Sequence, residues 1–565
     1  MYDSMSNFLP SMRERYPSAT EAAGRPWVFL PYDRLNDRLG VVLDRPDAGI
    51  ILIESHNKGK ARPYHKKKVL LVLSNQRHFA LEQIEKGRQV LYLNAPESFG
   101  EQLRHAQQSL GLGTILTSLP AERELRKDLE LGQKQGLALE YRPDTAWLST
   151  QADWDHVFDK STRGRQYLME RFYRHMRQTS RLLMEPDGSF AGGKLSFDEQ
   201  NRERYKGQIP VPERPSYPAD DITLEVAEMI ERLTPDTLGS TNGFDLPVTA
   251  GAVEQLWAFA LKRLLPFFGP YEDAMDADEP VLFHSAMSAL LNLSRLLPRE
   301  VVKDVDAGYR ANRIPLSSAE GFIRQILGWR EFMRHIHHAT DGFRTLPQQP
   351  DPPANRTANR YSHLLVKEIT PAAPERPAMP SALDAHLPLP PVYWGERSGM
   401  FCMDTVIAQV MSTGWSHHIT RLMVLSNLAV LCGFSPRELT DWFWVSYIDA
   451  YDWVVESNVL GMSTFADGGL TATKPYVSGA AYIDRMSNYC GRCDLNPKKS
   501  TGPGSCPFTA LYWSFLERHS DLLAQNQRLR MPYNTLWKKS AAERSALKER
   551  AELAVVQLQR GEIVS

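Results

Sequence analysis

Three cysteines, Cys490, Cys493 and Cys506, form the pattern C-x2-C-x12-C in a loop rich in Gly, Pro and Lys, and Cys402 lies far upstream. A two-residue spacer lets both sulfurs of a CxxC turn converge on one centre, and thiolate is the ligand that zinc and iron–sulfur clusters prefer. A fold that gathers these sulfurs must bring distant segments together. The fourth ligand could be Cys402, Cys432 or a histidine such as His519. Spacing alone leaves zinc, an iron–sulfur cluster and buried free thiols open.

The chain has 565 residues, more than one hydrophobic core usually serves, so two or three domains are expected. A hydrophobic fraction of 42%, a charged fraction of 24% and no long apolar run describe a soluble protein without a membrane span. The N-terminus lacks the basic and apolar regions of a secretory signal. Five cysteines in so long a chain argue against a disulfide framework and for a reducing cytoplasm. A cytoplasmic monomer is expected. The net charge of -1 means that a nucleic-acid partner must meet a local basic face.

From Trp27 to about residue 147, short apolar runs (WVFL, IILIES, VLYLN, GTILTSL) alternate with amphipathic stretches, the grammar of an α/β domain with a parallel sheet. No G-x-G-x-x-G or P-loop follows a strand, which excludes the standard dinucleotide and nucleoside-triphosphate sites. Residues 1–26 form an extension without an evident task, and 148–247 read as an interdomain connector. The connector carries Arg163, Arg165, Arg171, Arg174, Arg177 and Arg181, either a phosphate-facing stripe or, as charge alone favours, a solvated helix face. From 248 to 540 the pattern is helical. Ser435-Pro436-Arg437-Glu438 reads as a helix start with a capping box. The Pro-rich stretch 345–391 reads as a partly disordered surface insertion, and 541–565 as a C-terminal helix or tail.

His417 and Arg421, four apart, share one helix face, while His418 points about 100° further round. Adjacent histidines are by default core or surface residues, yet an unperturbed pKa of about 6.5 also suits them to proton transfer.

Four segments carry a resemblance: GGKLSFDEQNR (192–202), AEGFIRQILGWREFMR (319–334), GWSHHITRLMVLSNLAVLCGFSPRELTDWF (414–443) and NVLGMSTFADGGLTATKPYVSG (458–479). Together with the cysteine loop they resemble the iron–sulfur bacterial branch of the photolyase/cryptochrome superfamily, in the right order along nearly the whole chain. The resemblance implies an N-terminal α/β Rossmann-like antenna domain, a connector, and a helical FAD domain with a 4Fe-4S cluster. It implies 6,7-dimethyl-8-ribityllumazine as antenna, and light-driven repair of (6-4) photoproducts in UV-damaged DNA.

Carried over residue by residue, the resemblance makes Cys402, Cys490, Cys493 and Cys506 the cluster ligands and leaves Cys432 as a core residue. It pairs Arg421 with Asp449 beneath the flavin. His418 becomes the proton donor supported by His417; photolyases for cyclobutane dimers usually carry Asn at that position. Tyr476 and Tyr482 would line the lesion pocket. Trp394 and Trp442 would carry electrons to FAD, with Phe443 where members place Tyr. Ser285, Ser288, Asn292, Glu320, Gln325 and Arg330 would contact FAD, on segments that also hold Trp329 and Glu331. Ser294-Arg295 replaces a more usual small pair, and Val455 falls opposite flavin N5. Asp33 and Glu54, just after strands, would contact the antenna; a helix or turn cap is the plain alternative. Two other readings remain at this point: a cryptochrome-type photoreceptor without repair, and a zinc-stabilised nucleic-acid-binding protein.

Overall fold

Strands β1 (Trp27–Phe29), β2 (Gly49–Ile53), β3 (Val90–Leu93), β4 (Ile115–Ser118) and β5 (Leu139–Arg142) pair in parallel in the order β3-β2-β1-β4-β5. The central strands β1 and β2 are buried on both faces, which is why they read as unbroken apolar runs, whereas the edge strand β5 is half exposed. Val28, Ile50 and Leu52 enter one core with Phe79, while Phe29, Ile51 and Ile53 enter the other with Leu103. Helices Lys66–Glu85, Phe99–Leu110 and Arg123–Lys134 make the crossovers. The last two touch at Gly100 and Gly132, where a Cβ on Gly132 would stand 3.0 Å from the Gly100 Cα. A computed structural model of the chain describes residues 7–55, 58–59, 62–158, 166–349 and 377–565. Arg163, Arg165 and residues 350–376 of the Pro-rich stretch lie outside the described residues.

The extension has a task that its sequence does not announce. Helix Phe8–Arg13 adds Phe8, Leu9 and Met12 to one core of the sheet, with Phe8 edge-on to Tyr92 at 5.0 Å. Helix Ala19–Ala23, capped by Ser18, offers the Ala22 carbonyl to Trp27 Nε1 at 2.8 Å.

The basic run is neither a stripe nor a solvated face throughout. Arg177 is fully buried and donates to the carbonyls of Leu182, Leu183 and Leu195, whereas Arg174 pairs with Glu170 on the surface. Helix Met169–Ser180 shares a core with Phe322, Ile326 and Phe332, so the apolar core of the helical part begins inside the connector. Three consecutive lysines bolt the parts together. Lys66 Nζ pairs with Glu231 at 2.6 Å, Lys67 Nζ donates to Gly243 O, and Lys68 Nζ donates to Trp444 O and Ala450 O.

The second half of the Pro-rich stretch is not a surface insertion. Leu389 is fully buried, Leu387 bridges to Phe434, and Gln349 N–H donates to Met379 O at 2.8 Å. Ser435 does start a helix, Pro436–Ser446, and accepts from Glu438 N–H. The box is not reciprocal: Ser435 N–H goes to Leu387 O, and the Glu438 carboxylate takes Leu389 N–H. Helix Ala541–Arg560 is no tail either. Its Leu547, Ala551 and Ala554 join the core of helix Pro507–Arg518, Arg550 donates to Ser505 Oγ and O, and Val564 N–H donates to Ser398 O.

Glu456 knots three helical segments, accepting from His337 at 2.9 Å and Arg437 at 3.0 Å. Burial opposes its charge, but His337 and Arg437 prevail and bring its pKa down to about 2. A depressed carboxylate stabilises the fold above its unfolded pKa and loses that contribution as pH falls through its folded value. Glu456→Gln is expected to cost on the order of 3 kcal/mol at neutral pH. It should also flatten acid unfolding between about pH 4.5 and 2, checked by denaturant titration across pH.

Candidate functional site

Three π-helical turns, Arg324–Arg330, Arg421–Ser426 and Glu456–Ser463, face one cavity of about 330 Å³ in the helical part. A π-turn inserts a residue into a helix and re-aims the side chains around it, and such turns gather at functional sites. Here they aim Gln325, Trp329, Arg330, Arg421, Asn458 and Val459 inward. Ser285, Ser288, Asn292, Asp449, Val455, Phe443, His417 and His418 complete much of the wall.

Arg421 and Asp449 make a two-pronged pair with N–O distances of 3.1 and 2.9 Å. The guanidinium lies 4.2 Å over the Tyr447 ring and donates to Ser416 O through Nε. Ser288 Oγ donates to Asp449 Oδ2 at 2.6 Å, and Asn292 Nδ2 donates to its carbonyl at 2.9 Å. The loop and helix Ser288–Asn292 therefore hold the pair from one side. Gln325 is held by the buried Glu272, whose Oε1 accepts its amide at 2.6 Å. Glu320, by contrast, is not at the cavity. It is fully buried, accepting from Tyr173 OH and Phe197 N–H and pairing with Arg324, so it serves the joint with the connector.

Ser294-Arg295 has a structural reason. Ser294 Oγ donates to Asp33 O and Arg295 pairs with Glu82 at 2.9 and 2.7 Å, tying the helical part to the α/β part.

A third histidine, His284, joins the expected two. Its ring centroid is 4.4 Å from His417 and 5.4 Å from His418. Burial, with the neighbouring imidazoles and Arg421, pushes His284 and His417 well below the usual histidine range, so both are neutral at pH 7. His418 is exposed over 46% of its side chain, and its Nε2 stands 3.8 Å from Asp273 Oδ1. The sequence signal for His284, one histidine in HSAMSALLN, was too slight to single it out.

Tyr476 and Tyr482 do not line this cavity. Both are half-buried beside it, and burial raises both phenols. Tyr482 OH donates to Asp273 Oδ2 at 3.4 Å, which links it to His418 through one carboxylate. Arg202 Nε approaches the same carboxylate at 3.8 Å. Trp394 and Trp442 also stand outside the cavity. Phe443 lines it, Trp442 packs 5.0 Å behind Phe443, and Tyr393, next to Trp394, lies 5.3 Å from Trp442.

Cys402, on helix Phe401–Thr413, faces Cys490, Cys493 and Cys506 across a small cavity floored by Tyr489 and Phe508. Burial, then the neighbouring sulfurs, pushes Cys402 well up and Cys490 up to about 12. Buried sulfurs so placed are stable as thiolates only around a metal cation. Cys432 is in the apolar core instead, 1% exposed.

A second cavity opens at the carboxyl ends of β1, β2 and β4, beside the β1/β4 position where the sheet order reverses, the place where open α/β sheets bind ligands. Tyr32, Phe99, Tyr451, Lys68 and Glu122 line it, and the Tyr32 and Tyr451 rings stack 6.3 Å apart. Asp33 and Glu54 do not. Asp33 pairs with Arg34 at 2.8 Å, and Glu54 takes Arg77 at 2.9 Å and Tyr92 OH at 2.6 Å. Both are consumed by buried networks, which the post-strand position could not reveal.

Among the described residues no helix is long and apolar enough to cross a membrane. A family model described as deoxyribodipyrimidine photo-lyase-related protein matches residues 28–246. A (6-4) photolyase of Agrobacterium fabrum is 34% identical over 533 residues, 93% of this chain and 98% of its own. An uncharacterised protein of Acanthamoeba polyphaga mimivirus is 31% identical over 22% of this chain and 93% of its own. A bacterial class III photolyase from Agrobacterium tumefaciens shares the fold with a TM-score of 0.53 at 14% identity, covering 95% of this chain and 98% of that one. A Synechocystis cryptochrome does so at 0.52 and 14%, covering 82% and 86%. Sheet, helical cavity and a relative matched almost end to end place the chain in the deoxyribodipyrimidine photo-lyase-related family of the photolyases and cryptochromes.

Proposed function

We propose that the protein repairs (6-4) pyrimidine–pyrimidone photoproducts in UV-damaged DNA, in a light-driven reaction with FAD in the helical cavity. The observation that carries this reading is His418, the one exposed member of the three histidines, at the mouth of a cavity that also holds the Arg421–Asp449 pair. The chemistry FAD would supply, in its reduced and photoexcited form, is an electron that returns after repair, so the net reaction would be redox-neutral. Arg421, Asp449, Ser288, Asn292, Gln325 and Arg330 bind and orient the flavin. His418 donates a proton to the group that must return between the bases and recovers it as the base–base bond breaks. Tyr476 and Tyr482 receive the flipped-out lesion beside Asp273, where aromatic stacking offsets part of the flipping cost. Trp442, packed behind Phe443, and Trp394, next to Tyr393, would carry electrons toward the flavin. The matched (6-4) photolyase supports the same reading.

The test is illumination of the flavin-reduced protein with two oligonucleotides, one holding a (6-4) lesion and one a cyclobutane dimer. Restoration of the first alone is expected. Restoration of neither would leave a photoreceptor without repair.

Cys402, Cys490, Cys493 and Cys506 are proposed as ligands of a 4Fe-4S cluster joining helix Phe401–Thr413 to the late loop. These four cysteines, three in one loop and one on the helix, ring a shared cavity. Metal analysis should find iron without zinc, and Cys506→Ser should remove that iron together with its broad visible absorption. Stoichiometric zinc would overturn the assignment. Residues 27–147 would house the antenna, 6,7-dimethyl-8-ribityllumazine, in the second cavity, whose stacked Tyr32 and Tyr451 suit a flat aromatic ligand.

A further inference from the structure

Leu282 and Ala286 both hold left-handed backbone, with φ of 47° and 53°. Left-handed conformations disfavour residues with a Cβ, and strain of this kind persists where the surroundings over-determine it. Between these two residues the chain delivers His284 to the helical cavity, 5% exposed. Arg214 Nη2 donates to the His284 carbonyl at 2.5 Å and fixes the loop from behind.

The ring meets both other histidines. It stands edge-on to His417, at an interplanar angle of 65°, and the ligating nitrogens of His284, His417 and His418 lie within 4.8 Å of one another. His284 Nε2 and His417 Nδ1 are buried without a hydrogen-bond partner. Two orphaned imidazole nitrogens side by side are costly in a resting protein, and small ring rotations would let either accept an N–H. The proton donor next to them has such a group to give.

We propose that His284 is a positioning residue for the repair reaction: its orphaned ring nitrogen, with that of His417, takes one N–H of the His418 donor and leaves the other for the lesion. This rests on the repair function proposed above. The charged groups facing the cluster are Arg421 and Arg214 on the inner side, and Asp273 and Glu272 beyond His418. The cations on the inner side disfavour charge on His284 and His417, and His418 alone reaches the open side. A hydrogen bond accepted from the protonated ring favours that charged form. Removal of His284 therefore weakens both aim and charge.

The experiment uses the flavin-loaded, full-length protein as wild type, His284→Ala and His284→Gln. Three quantities are read: repair of a (6-4) oligonucleotide per bound flavin across pH, flavin photoreduction, and the titration of the His418 ring by 15N NMR. Expected is a loss of about 10- to 100-fold in repair for His284→Ala, in the range of a misaligned proton donor. The His418 titration, and the limb on which repair is lost as pH rises, should both move to lower pH. Gln, which can accept an N–H through its amide oxygen, should recover part of the yield. Photoreduction should stay at the wild-type level, which a collapsed cavity would not allow. Wild-type repair per flavin in His284→Ala, or an unmoved His418 titration in both variants, would overturn the inference while leaving the repair function standing. Absence of repair by the wild type would remove both.

Discussion

Replacing His418 by Ala is expected to lower (6-4) repair by about 10²- to 10⁴-fold, the usual contribution of a positioned general acid, with FAD still bound and photoreducible. His284 and His417 are buried, and their surroundings hold them neutral at pH 7. Only His418 combines exposure, an adjacent carboxylate at 3.8 Å and a place on the cavity wall. Its side chain is 46% exposed, so the loss should fall on chemistry rather than on folding. Chromatography of the restored oligonucleotide after fixed illumination checks the result. Undiminished repair would take His418 out of the mechanism and move the proton to water or to Tyr482.

Asp449→Ala is expected to empty the cavity of flavin and to destabilise the protein by about 3 to 5 kcal/mol, the cost of stranding one partner of a buried pair. Arg421 would keep its place over Tyr447 with no carboxylate opposite, and Ser288 Oγ would lose its acceptor. Because the Arg421 side chain is 23% exposed, water can reach it, which places the loss toward the lower end. Asp449→Asn keeps a side-chain acceptor for Ser288 or for one arm of Arg421, so it should retain more flavin. The flavin-to-protein absorbance ratio and a thermal melt, taken together on both variants, separate cofactor loss from unfolding. Equal flavin content in wild type and Asp449→Ala would mean that the pair supports only the fold.

The parallel sheet was legible because a strand buried on both faces must be apolar at every position, as IILI is in β2. The helix start at His417 and His418 was legible, but not its geometry: His417 is an extended N-cap and Arg421 opens a π-turn, so the cavity rather than a four-residue helical face brings the two together. Other features carry no such signal. Phe8, Leu9 and Met12 form too short a run to distinguish a docking helix from a solvated leader. The π-turns look like ordinary helix in sequence, since one inserted residue barely disturbs an apolar stripe. Lys66, Lys67 and Lys68 read as a solvated run until carbonyls and a carboxylate across the interface claim each ammonium. Asp33, Glu54 and Glu320 were misplaced for the same reason. A charged residue next to a motif can equally serve a joint, and only tertiary geometry says which arginine or tyrosine it answers.

Arg550 grips Ser505 next to Cys506, and Val564 reaches back to Ser398 near Cys402, so the segment 541–565 braces both sides of the cysteine cavity. On the ribosome this gives assembly a fixed order. All four sulfurs emerge before their brace exists, and the nascent loop must wait with its thiols exposed until residues beyond 550 are released. A chain ending shortly after residue 540 would hold all four cysteines of the proposed centre without the segment that braces their cavity.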